Sequence, residues 1–133
     1  MDTTLLILIE EGCDYDDNID RYDLNFEYLK RDKNTKTSLS LSFKDVKLPT
    51  LKKIVQGNFN KIVLEDESEE WKSGMSWKLT IGQKKCLLKL DDIEGAASFE
   101  LKFRRHYLVN VLRDKIEVLR DLPFRANIKR ANK

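Results

Sequence analysis

Between residues 10 and 23 the chain gathers Glu10, Glu11, Asp14, Asp16, Asp17, Asp20 and Asp23, interleaved with Cys13, Tyr15 and Tyr22. Clustered carboxylates can hold a hard cation or dock on a basic partner. The spacing of Asp14, Asp16, Asn18 and Asp20 matches the first ligands of an EF-hand calcium loop. The match ends there. Ile19 occupies the sharp-turn position that needs glycine, and Asn25 stands where the bidentate glutamate belongs. Partner docking is therefore the chemistry assigned to Glu10, Glu11, Asp14, Tyr15, Asp16, Asp17, Asp20, Tyr22 and Asp23. Carboxylates speed encounter with a basic surface, and tyrosine adds contact area at low entropy cost. Trp71, in an expected loop, is a further candidate anchor.

Catalytic chemistry is poorly served. The single histidine, His106, follows Arg104 and Arg105, and no nucleophile elbow or acid–histidine–nucleophile pattern surrounds it. One histidine and two distant cysteines, Cys13 and Cys86, make no zinc pattern and no disulfide framework. Gly82 and Gly95 stand alone, without a Walker loop or a Rossmann fingerprint. The carboxylates Glu65, Asp66, Glu67, Glu69 and Glu70 form a like-charged run, expected to be a solvated loop. The sequence thus predicts no catalytic residue, no metal and no cofactor.

Charge is unevenly spread. Residues 1–70 carry 16 acidic and 10 basic side chains, whereas residues 71–133 carry 7 and 15. The first part is net −6 and the second net +8, which predicts an acidic and a basic surface. The basic pole includes Lys102, Arg104 and Arg105 and a tail, residues 124–133, with Arg125, Lys129, Arg130 and Lys133. Such a set can contact phosphates, so nucleic-acid binding is the alternative reading.

The elements that must position these groups follow from periodicity. Residues 5–9 form an apolar strand, too short for the ~20 residues of a membrane helix. Met1 and Asp2 before it lack the basic region of a secretory signal, so a soluble, cytoplasmic chain is expected. Leu24, Phe26 and Tyr28 alternate with polar residues, and Leu39, Leu41 and Phe43 alternate with serines. With a turn at residues 32–35, these strands make a hairpin. Pro49 opens a short helix that buries Leu51, Ile54 and Val55 and leaves at Gly57. Further strands are expected at residues 62–64, at Trp77, Leu79 and Ile81, at Cys86, Leu88 and Leu90, and at Phe99, Leu101 and Phe103. Leu108, Val111, Leu112, Ile116, Leu119 and Leu122 then recur at helical steps up to Pro123. The prediction is one α+β domain over residues 1–133. It has an antiparallel sheet of about five to seven strands, with one short and one long C-terminal helix on one face. Its appendages are an acidic loop, residues 10–23, and the basic tail. An apolar edge, at residues 5–9 or 24–28, could also pair two copies into a homodimer.

The stretch Ser98-Phe99-Glu100-Leu101-Lys102-Phe103, followed by Tyr107-Leu108, Leu112, Leu119 and Leu122-Pro123, resembles the C-terminal part of WapI-like bacterial toxin-immunity proteins. In those a strand leads into a helix that ends in a hydrophobic–proline pair. The similarity extends to residues 39–55. It implies a non-enzymatic role, in which the chain binds and blocks a cognate toxin. The expected function is a protein-binding inhibitor of the immunity or anti-defence type, bacterial or phage-borne, that neutralises a toxin or defence-complex subunit through its acidic surface.

Overall fold

Alternation of apolar and polar residues builds most of the structure, a computed structural model in which residues 2–12, 21–68, 74–92 and 98–122 are described. The chain divides into two compact units, Met1–Leu48 and Pro49–Lys133. Each holds its own antiparallel sheet.

The first unit is a meander of β1 (Asp2–Glu11), β2 (Arg21–Arg31) and β3 (Lys36–Lys47), in that order across the sheet. One face is apolar: Ile7, Tyr22, Leu24, Phe26, Leu41, Phe43 and Val46 are buried. Phe26 and Phe43 meet edge to face, with centroids 5.6 Å apart. A bulge sets the register at the far end. Lys44 and Asp45 lie opposite Asp23, Asp45 takes φ 58°, and the Asp23 carboxylate accepts its N–H at 3.1 Å. The extra residue lets Val46, three positions after Phe43, return to the buried face. Asp32 and Thr35 exchange backbone hydrogen bonds of 2.8 and 3.2 Å and close the expected β2–β3 turn.

The second unit opens with α1 (Leu48–Gln56), whose Leu51, Ile54 and Val55 are fully buried. Gly57 ends it at φ 73°, donating its N–H to the Lys53 carbonyl at 2.9 Å. This left-handed position suits glycine, which has no Cβ to clash. A second meander follows: β4 (Ile62–Glu67), β5 (Met75–Ile81), β6 (Lys85–Asp92) and β7 (Ser98–Arg104). Leu79, Ile81, Cys86, Leu88 and Leu90 point to its buried face. α2 (Arg105–Lys115) and α3 (Glu117–Arg120) complete the chain's described elements.

Two expectations are corrected. The antiparallel α+β class holds, but seven described strands form two sheets of three and four, not one sheet. Alternation within each strand specifies a buried face; it does not specify which hairpins join the same sheet. The long C-terminal helix is also interrupted, at Ile116, which is extended (φ −112°, ψ 107°). The break keeps Ile116 and Leu119 buried, so the apolar period runs through it unchanged. Arginines brace it: Arg120 donates to the carbonyls of Arg113 (3.2 Å) and Asp114 (2.9 Å), and Arg113 donates to that of Arg120 (2.8 Å). The two Arg120 bonds satisfy carbonyls that the end of α2 leaves without helical partners, and the Arg113 bond does the same at the end of α3. Among the described residues no helix is long and apolar enough to cross a membrane.

Candidate functional site

Among the described residues β1 ends its sheet, paired with β2. Its residues alternate between faces, so Ile7 is buried while Leu6 and Leu8 stand 47% and 39% exposed. Across the strand pair Leu6 faces Glu27 and Leu8 faces Asn25. The expected acidic loop is therefore partly strand. Glu10 and Glu11 are the last residues of β1, opposite Asp23 and Tyr22, and both are exposed. Gly12 extends the pairing by donating to the Arg21 carbonyl at 2.9 Å; a Cβ there would lie 3.2 Å from that oxygen. No ion pair holds Glu10 or Glu11 among the described residues. Leu6, Leu8 and Glu10 thus share one exposed face of β1, while Glu11, on the parity of Ile7 and opposite Tyr22, ends the strand on the other face.

Not every expected docking residue belongs to this surface. Tyr22 is only 8% exposed, because its strand position shares the buried face with Leu24 and Phe26, so it is a core residue. Asp23 is engaged in the bulge. Asp14, Tyr15, Asp16, Asp17, Asp20 and Trp71 lie outside the described residues, as do Asn18 and Ile19 of the calcium-like spacing.

The outward face of the second sheet carries charges in rows. Glu65, Lys78, Lys89 and Glu100 lie side by side across β4 to β7. Lys78 pairs with Glu65 at 3.4 Å, and Lys89 reaches Glu100 and Asp91, each at 4.0 Å. All are solvent-exposed, so each pair adds little stability. Residues 65–67 belong to β4, a correction to the expected loop; Glu69 and Glu70 are outside the described residues. Beside this row Glu65, Asp66, Glu67, Trp77 and Asp91 line a groove of about 470 Å³. Among the described residues no group of three or more metal-type ligands converges.

At the other end of the same sheet the sign is reversed. Lys61 precedes β4, Lys84 and Lys85 leave the β5–β6 turn, and Lys102 and Arg104 lie on β7. Lys85 is the register partner of Arg104, and Leu87 that of Lys102. A groove of about 300 Å³ runs among Asn60, Lys61, Thr80, Lys85, Leu87 and Lys102. Of the basic residues expected to contact phosphates, Arg104 is exposed here. Arg105 is not: it is 1% exposed, donates from Nη1 to the Ile54 carbonyl at 3.2 Å and lies 5.5 Å from the Phe59 ring centroid. Its place at the first position of α2 points it inward and makes it structural. Its backbone N–H also binds the Lys84 carbonyl at 2.9 Å. Arg125, Lys129, Arg130 and Lys133 are outside the described residues.

Of the two cysteines, Cys86 is buried and Cys13 lies outside the described residues. Burial pushes the Cys86 thiol up to about 12, against a smaller opposing effect of the Arg105 charge, so it is protonated at neutral pH and no nucleophile. Burial likewise lowers the Arg105 guanidinium from its ordinary range. His106 is exposed on α2. Sequence reasoning missed Leu6 and Leu8 as surface residues, and it missed Lys61, Lys84 and Lys85 as neighbours of Arg104. The parity of Lys85 and Leu87 against buried Cys86 and Leu88 carried that second signal.

No protein-family model matches the chain, and neither a curated protein nor a solved structure matches it.

Proposed function

We propose that this chain is a non-enzymatic, protein-binding inhibitor of the immunity or anti-defence type, engaging a basic-surfaced partner through β1 and the acidic residues that follow it. The observation that carries the reading is that exposed Leu6, Leu8 and Glu10 share one face of β1, with exposed Glu11 ending the strand. Apolar side chains provide the contact that excludes water, and flanking carboxylates steer a cationic partner and penalise wrong ones. The protonated Cys86 thiol and the resemblance of residues 98–123 to WapI-like immunity proteins favour binding over catalysis.

The test is affinity purification from the native host, comparing the wild-type chain with two variants. One reverses charge at Glu10, Glu11, Asp14, Asp16, Asp17 and Asp20; the other is Leu6→Lys/Leu8→Lys. A basic protein recovered in stoichiometric amount by the wild type and lost by both variants is the expected result. Equal recovery by all three, with each variant folded by circular dichroism, contradicts the reading.

A further inference from the structure

The five cations at the end of the second sheet differ from the lysines beside them. Lys78 and Lys89 are neutralised by Glu65, Glu100 and Asp91. Lys61, Lys84, Lys85, Lys102 and Arg104 have no ion pair among the described residues, and all are exposed. They come from separate stretches of chain: register sets Lys85 opposite Arg104, and one groove gathers Lys61, Lys85 and Lys102. The nearest carboxylates on that face, Glu65 and Glu100, sit one row further along and are already held by lysines.

We propose that this basic end binds the phosphate backbone of a nucleic acid without reading its sequence. Charge complementarity names the occupant: three unneutralised cations, Lys61, Lys85 and Lys102, line one groove, and Arg104, opposite Lys85, and Lys84, next to Lys85 in the chain, extend the set. Such a row fits a ligand with regularly repeated negative charge, and it fits a single small anion less well. Lys102 and Arg104, two residues apart on one face, stand ~6.7 Å from each other along the strand, so neighbouring cations can take successive phosphates. Thr80 and Asn60 add neutral hydrogen-bonding groups to the groove wall. No aromatic side chain lines the groove among the described residues. Stacking on splayed bases is therefore not its chemistry, and a duplex presenting its backbone suits it better than a single strand. This surface is independent of β1 and of the protein-binding reading.

The experiment is a fluorescence titration of the full chain with a short labelled DNA duplex of mixed sequence, repeated across a salt series. If each cation neutralises one phosphate, log K falls against log salt with a slope of about −4 to −5. Lys85→Gln/Lys102→Gln shallows that slope by about 2 and weakens low-salt binding by about tenfold or more. Two further variants fix the location. Lys78→Gln/Lys89→Gln removes the same charge from the same face, and Arg125→Gln/Lys129→Gln/Arg130→Gln/Lys133→Gln removes charge from the tail. Both are expected to keep most of the slope. No binding at low salt overturns the proposal, and so does equal weakening by the Lys78/Lys89 pair, or a slope carried by the tail variant alone. Tighter binding to vesicles containing phosphatidylserine than to the duplex overturns it as well.

Discussion

Both sheets bury one face of an antiparallel meander, through Leu24, Phe26 and Phe43 in the first and Leu79, Ile81 and Leu88 in the second, yet their opposite faces carry different chemistry. The first presents Leu6, Leu8, Ser40 and Glu27 at its middle, with exposed Arg31 and Lys36 at one end and, at the other, Arg21 and Lys47 beside the carboxylates Glu10 and Asp23. The second presents a ladder of compensated charge that ends in five uncompensated cations. Inner faces answer to the hydrophobic effect and so converge on the same residue types. Outer faces are free to differ, and both proposed binding surfaces are drawn from them. The comparison also separates two kinds of exposed group, those already satisfied by a neighbour and those that await one.

The first way to break this comparison is to weaken each inner face. Leu24→Ala and Leu79→Ala each remove a fully buried side chain and are expected to cost about 2–5 kcal/mol, read by urea denaturation. A cost below about 1 kcal/mol at either site would mean that its sheet is not a true core.

The second test uses pH. The folded Cys86 thiol lies at about 12, above its ordinary 9.0, so the native state keeps a proton that the unfolded chain gives up. Its contribution to stability is complete below pH 9 and is lost as pH rises toward about 12, by up to about 1.4 kcal/mol per pH unit. Stability of Cys86→Ala is expected to decline less steeply than wild type from pH 9 upward. Parallel curves would contradict the burial of the thiol.

Next in size is the helix break. Arg120→Ala removes two donors to the end of α2 and is expected to cost about 1 kcal/mol. Arg120→Lys should not restore it, because lysine lacks the planar fork that reaches both carbonyls. The smallest effect belongs to the outer face. Leu8→Lys is expected to change stability by no more than about 0.5 kcal/mol while altering binding. A large loss of stability there would move Leu8 from the surface to the core.

Much of the fold was legible in local pattern. The serines opposite Leu39, Leu41 and Phe43 marked one strand, and Pro49 and Gly57 bracketed α1 as the structure has them. Gly82 marked the β5–β6 turn, where its N–H binds the Lys85 carbonyl at 2.9 Å. What failed was non-local. Periodicity could not divide seven strands into two sheets, and it ran through the break at Ile116 because the buried positions persist across it. An apolar run such as residues 5–9 reads the same whether both faces are covered or only one, which hid Leu6 and Leu8. Tyr22 and Arg105 were misplaced for a related reason. Composition marked them as surface residues, whereas strand parity at the bulge and the first position of α2 turn them inward. The basic end was invisible as a unit, since only register brings Lys61, Lys85 and Arg104 to one place.

Amide hydrogen exchange with the co-purified partner tests the central claim most directly. The account predicts that amides of β1, from Leu6 to Glu11, gain protection when the partner binds, with the basic end of the second sheet unchanged. Protection confined to β6 and β7, with β1 exchanging as it does in the free chain, would contradict it.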